Sequence, residues 1–85
     1  MTFDGAIIKE QGITFAIAIV KPSVLNSSER EKVRMGFVPV FGNIPIILAS
    51  QDSSGRFRYN GRTDIVKFLS KLSPRQIPWK TYTVS

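Results

Sequence analysis

Seven cations follow one another through residues 54–85: Arg56, Arg58, Arg62, Lys67, Lys71, Arg75 and Lys80. Asp64 is the only acid among them, whereas residues 1–53 carry acids and bases in equal number. The whole net charge of +6 therefore belongs to the C-terminal part of an 85-residue chain. Guanidinium and ammonium groups recognise carboxylates and phosphates, so this asymmetry points to an anionic partner. Tyr59, Trp79 and Tyr82 are interleaved with the cations, and such rings serve at interfaces and as stacking platforms. The seven cations are thus candidate anion or nucleic-acid contacts, and the three rings candidate interface or stacking residues. The plainer alternative is that the cations solvate a helix and two strands while the rings pack in the core. If the basic residues form one surface, Arg56 and Arg58 should lie together with Arg62 or Lys80.

Other chemistries are excluded by composition. The chain has no cysteine and no histidine. Thiol redox chemistry, disulfides, Cys/His zinc sites and a Ser-His-Asp triad are therefore ruled out. No G-x-G-x-x-G or G-x-x-x-x-G-K phosphate loop occurs. Only six carboxylates are present. Glu29 and Glu31 read as helix-terminus residues, Asp52 as a turn residue and Asp64 as a helix-start residue. The expectation is a noncatalytic protein with no catalytic residue, no metal site and no cofactor.

The elements that must position the candidate residues follow from periodicity. Ala6–Lys9 is short and apolar-rich, and Glu10-Gln11-Gly12 reads as a turn. Ile13–Val20 alternates, yet both faces are mostly apolar, the mark of a strand covered on both sides. The Ala16/Ala18 face has little bulk, so a helix can approach it closely. Ser28-Glu29-Arg30-Glu31 fits a capping box opening a helix over 28–35 that stops at Gly36. Phe37–Phe41, interrupted by Pro39, reads as an edge strand or connector. Ile44–Ala49 is a second buried strand. Arg56-Phe57-Arg58-Tyr59 alternates, with both rings on one face.

The clearest helix is Thr63–Leu72, whose Ile65, Phe68, Leu69 and Leu72 form a stripe at i, i+3, i+4 and i+7. If that stripe is core, Phe68→Ala should cost about 3–5 kcal/mol. Trp79–Val84 is a final strand. The sum is a single domain over 1–85, an α/β or α+β two-layer sandwich with a central mixed sheet of four to six strands and two helices. Segments 13–20 and 44–49 should lie side by side at its centre, roofed by 63–72.

Two resemblances rest on these residues. Ile44-Pro45-Ile46-Ile47-Leu48, Tyr59-Asn60-Gly61 and Ile65-Val66-Lys67-Phe68-Leu69 resemble the C-terminal half of thioredoxin-like domains. There a buried strand opens with Ile-Pro and is followed by a hairpin, a Gly and a final helix. The resemblance implies a cis Pro45 and a redox pair near residues 23–26, where this chain has no cysteine. With the first strand set aside, and residues 37–49 merged into one strand, the order becomes βαββαβ, which is similar to ferredoxin-like folds. Gly55-Arg56-Phe57-Arg58-Tyr59 then resembles a submotif of RNA-recognition domains, which implies base stacking on Phe57 and Tyr59. Arg58 stands where that motif carries a Gly or Ala.

Function is expected to be protein interaction, with an unknown protein or a second copy recruited by strand addition near Pro39 or at Trp79–Val84. Nucleic-acid binding through the basic half is the alternative. No apolar run reaches the roughly 18–20 residues of a membrane span, and the N-terminus lacks a signal-peptide pattern, so the chain reads as soluble and cytoplasmic.

Overall fold

A computed structural model describes residues 1–10 and 12–84. Five strands form one mixed sheet: β1 (Thr2–Glu10), β2 (Ile13–Ile19), β3 (Ile46–Gln51), β4 (Phe57–Asn60) and β5 (Lys80–Thr83), in the order β4-β3-β2-β1-β5. Only β2 and β3 run parallel; the other neighbours are antiparallel. The parallel pair requires a crossover, and α1 (Pro22–Leu25), α2 (Arg30–Gly36) and α3 (Val38–Phe41) supply it. After β4, α4 (Thr63–Ser70) and a 3-10 turn at Pro74–Gln76 carry the chain across to β5.

The two greasy segments do lie side by side. Ala16, Ile17 and Ala18 of β2 and Ile47, Leu48 and Ala49 of β3 are all fully buried. Strand alternation sends successive residues to opposite faces. Phe15, Ile17, Ile47 and Ala49 pack with Ile65 and Leu69 of α4 and with Ile77. Ala16, Ala18, Ile46 and Leu48 pack with Leu25, Phe37 and Phe41 of the crossover helices. The α/β sandwich expected from the sequence is present. Its helices cover both faces of the sheet, making three layers where two were expected, because β2 and β3 are apolar on both sides and neither face can be left in water.

Several local expectations are corrected. Phe37–Phe41 is not a strand. Pro39 sits in the first turn of α3, where its missing N–H costs nothing, and Phe37 and Phe41, one turn apart, both meet Phe3 at ring-centroid distances of 4.8 and 5.8 Å. The Ser28/Glu31 capping box does not form. Helix α2 begins at Arg30 without a side-chain cap, the Ser27 hydroxyl accepts the Glu29 amide, and the Glu31 carboxylate turns to Arg34. The peptide bond before Pro45 is trans. Strand β1, set aside in the ferredoxin-like ordering, is paired on both sides and is nine residues long. Without it β5 would have no neighbour. The expected turn at Glu10-Gln11-Gly12 includes Gln11, which lies outside the described residues; Glu10 and Ile13 pair across it.

Candidate functional site

The β3–β4 connection is built by one carboxylate. Oδ1 of Asp52 accepts from the Ser54 amide (2.9 Å), the Ser54 hydroxyl (2.7 Å) and the Arg56 amide (2.9 Å). Gly55 closes the turn at a φ of +88°, a conformation that suits glycine. The Ser54 hydroxyl, followed by the Arg56 amide, holds the Asp52 carboxyl below its ordinary range even though the group is exposed to solvent. This loop delivers Arg56 and Arg58 to the edge strand β4.

Alternation along β4 turns Phe57 and Tyr59 toward α4. The Phe57 ring has two near-parallel neighbours. Tyr59 stacks against it at 6.2 Å and 21°, Trp79 at 5.7 Å and 19°. Trp79 is anchored in turn, its Nε1 donating to the Pro74 carbonyl at 3.0 Å. The Tyr59 hydroxyl is buried without a hydrogen-bond partner among the described residues, and burial pushes its pKa up.

Between β4 and the C-terminal half of α4 runs an open groove of about 540 Å³. Its floor is apolar, including Phe57, Val66, Leu69 and Leu72, and Arg56 and Arg58 border it on the strand side. Lys67 of α4, Lys71 at its C-cap and Arg75 of the 3-10 turn are all exposed, and none of the three lines the groove. Two of the seven cations picked from sequence therefore line the groove, and three more are exposed on the elements that flank it.

The other two do not join them. Arg62 donates from Nε to Asp64 at 2.9 Å. Desolvation opposes ionisation of Asp64, but the bond from Arg62 prevails and its pKa falls. Lys80 lies on β5, the opposite edge of the sheet, with Nζ 5.5 Å from the Tyr82 ring centroid. Tyr82 faces the crossover helices, stacked on Phe3 at 5.2 Å and 10°. Tyr59 and Trp79 thus share one face and Tyr82 occupies the other. Lys80 thus lies apart from Arg56 and Arg58, while Arg62, just beyond β4, is paired with Asp64.

Sequence reasoning missed Arg34. Its guanidinium reaches the start of β3 and the end of β4, donating to the carbonyls of Ile46 (3.0 Å) and Asn60 (2.9 Å), to the Asn60 side chain and to Glu31. The bond from Arg34 is the first cause of the lowered Glu31 pKa. The available signal was the i, i+3 pair Glu31/Arg34.

No helix among the described residues is long and apolar enough to cross a membrane. Comparison with protein-family models, with curated proteins and with solved structures finds no match to this chain.

Proposed function

We propose that this chain is a noncatalytic protein-interaction module whose working surface is the β4–α4 groove, and that it takes an acidic segment carrying apolar side chains. One observation carries this reading: apolar side chains including Phe57, Val66 and Leu72 line a groove that Arg56 and Arg58 border, and Lys67, Lys71 and Arg75 are exposed on the elements that flank it. Apolar residues of the ligand fill the floor while its carboxylates meet the rim, which favours encounter and orientation more than raw affinity.

Nucleic acid is the less supported ligand. Base stacking needs a free aromatic face, and Phe57 is already stacked with Tyr59 and Trp79. Arg62 is paired with Asp64, and Lys80 lies at the far edge, so the phosphate-contacting set shrinks.

The test is a titration of the protein, followed by Trp79 emission and by anisotropy, with a labelled amphipathic Leu/Glu peptide and with single-stranded oligo(dT). The peptide should bind at low salt, and Arg56→Glu with Arg58→Glu should abolish binding. Failure of the peptide to bind would overturn the proposal. Oligo(dT) binding with a log–log salt slope near −0.7 per contacted phosphate would replace it with nucleic-acid recognition.

A further inference from the structure

The two strands beside each other at one edge of the sheet differ in length. Strand β5 pairs with Thr2–Gly5 of β1, while β1 runs on to Glu10. The reason is in the register. Two steps beyond Gly5↔Lys80, Ile7 would stand opposite Pro78, which has no N–H to give the ladder. The chain leaves the edge there, with the Trp79 amide turning back to the Ile77 carbonyl.

The direction of each backbone group in β1 follows from its ends. Met1 and Val84 exchange both hydrogen bonds, at 3.1 and 2.8 Å. Antiparallel pairs alternate between bonded and non-bonded, so the odd residues of β1 face β5 and the even ones face β2. Strand β2 agrees: Ala16 and Val20 donate away from β1, to the carbonyls of Pro45 and Ala49. The N–H and C=O groups of Ile7 and Lys9 therefore point off the open edge, and among the described residues nothing bonds them. The Ile7 side chain is 48% exposed beside them.

We propose that a second copy of this chain pairs with the open half of β1, antiparallel, across a two-fold axis at Ile8. Ile7 then stands opposite Lys9 of the partner subunit and Lys9 opposite Ile7 of the partner subunit. All four open groups of each strand are bonded, and the two five-stranded sheets become one. The two Ile8 side chains meet on the α4 face, and the two Ile7 side chains come diagonally close on the other. Neighbouring registers fail. Centring on Lys9 sets like charges directly opposite, and centring on Ile7 calls on Gly5, whose groups already bond β5. Arg56 and Arg58 do not obstruct the approach, because the groove they border lies by β4, at the opposite edge of the sheet; Lys80, opposite Gly5, is the one cation of the basic half on the neighbouring strand β5. This pairing is independent of what the groove binds.

Sedimentation equilibrium of the full chain over a range of concentrations tests it, with circular dichroism to confirm folding. The wild type should form a dimer. Ile7→Lys, which faces a lysine across the axis in two symmetric places, should weaken the dimer by roughly tenfold. Ile7→Glu should restore it in a salt-sensitive way, as should the exchange Ile7→Lys with Lys9→Glu. Amide exchange at Ile7 and Lys9 should slow as concentration rises. A monomer at every concentration, or a dimer indifferent to Ile7→Lys, would overturn the proposal.

Discussion

Arg34 completes the β3–β4 ladder beyond its last residue pair by reaching Asn60. That pair is Leu48↔Asn60, after which Gly61 leads the chain away, and the guanidinium bridges the Asn60 carbonyl and the Ile46 carbonyl, two residues before Leu48 on β3. The side chain is only 17% exposed, so those carbonyls have little access to water. Arg34→Ala should lower stability by about 2–3 kcal/mol, since charge-assisted bonds are lost and acceptors are stranded. Arg34→Lys should recover only part of this, because an ammonium lacks the planar fork. Urea denaturation measures both. A change within about 0.5 kcal/mol for Arg34→Ala would show that water replaces the guanidinium at no cost.

Helix α4 ranks its own apolar stripe. Leu69 is completely buried and Ile65 nearly so, whereas Phe68 is half-buried at the margin, its ring 6.4 Å from that of Phe15. Leu69→Ala should cost about 3–5 kcal/mol through the cavity it leaves. Phe68→Ala should cost less, about 2 kcal/mol, below the value its place in the stripe suggests. Thermal melts of the two variants give the order, and the reverse order would place Phe68 in the true core.

That contrast marks what was legible in the sequence. Periodicity located α4, β2 and β3, because their patterns are long and their burial is two-sided or one-sided without ambiguity. It failed where a short pattern fits two periods. Phe37 and Phe41 satisfy a strand period and a helical i, i+4 spacing alike, and packing against Phe3 decides for the helix. The groove was half legible. Composition identified Arg56 and Arg58, but only the chain path shows that Arg62 turns to Asp64 and that three strands separate Lys80 on β5 from β4. Arg34 was invisible because its partners are mostly backbone oxygens, which no residue type announces.

Gly5 is required by a close approach. A Cβ there would stand 2.6 Å from the Ile17 carbonyl oxygen, with the Phe3 and Phe41 rings at 3.1 and 3.3 Å. The oxygen is backbone of the central strand β2 and cannot swing aside. Gly5→Ala should therefore destabilise by about 1–3 kcal/mol despite alanine's lower chain entropy when unfolded. The equilibrium unfolding midpoint checks this, with exposed Gly36→Ala, where a Cβ meets nothing, as the tolerated control.

Acid should loosen the loop that presents Arg56. The Asp52 carboxyl is held below 3.8 in the folded chain by the Ser54 hydroxyl and then by the Arg56 amide. A depressed folded-state pKa means that the contribution is present above the unfolded value and disappears as pH falls through the folded one. The Ser54 and Arg56 amide resonances should therefore stay constant at neutral pH and shift together only below about pH 4. Asp64 and Glu31 are lowered as well, so their ion pairs weaken in the same acid range. The discriminating variant is Asp52→Asn, which keeps an oxygen acceptor but cannot titrate. It should remove the shared acid transition of Ser54 and Arg56 while leaving their folded-state positions near those of the wild type. If the two amides still titrate together in Asp52→Asn, or move at a pH above the ordinary carboxylate range in the wild type, the Asp52 carboxylate is not what organises the strand-side wall of the groove.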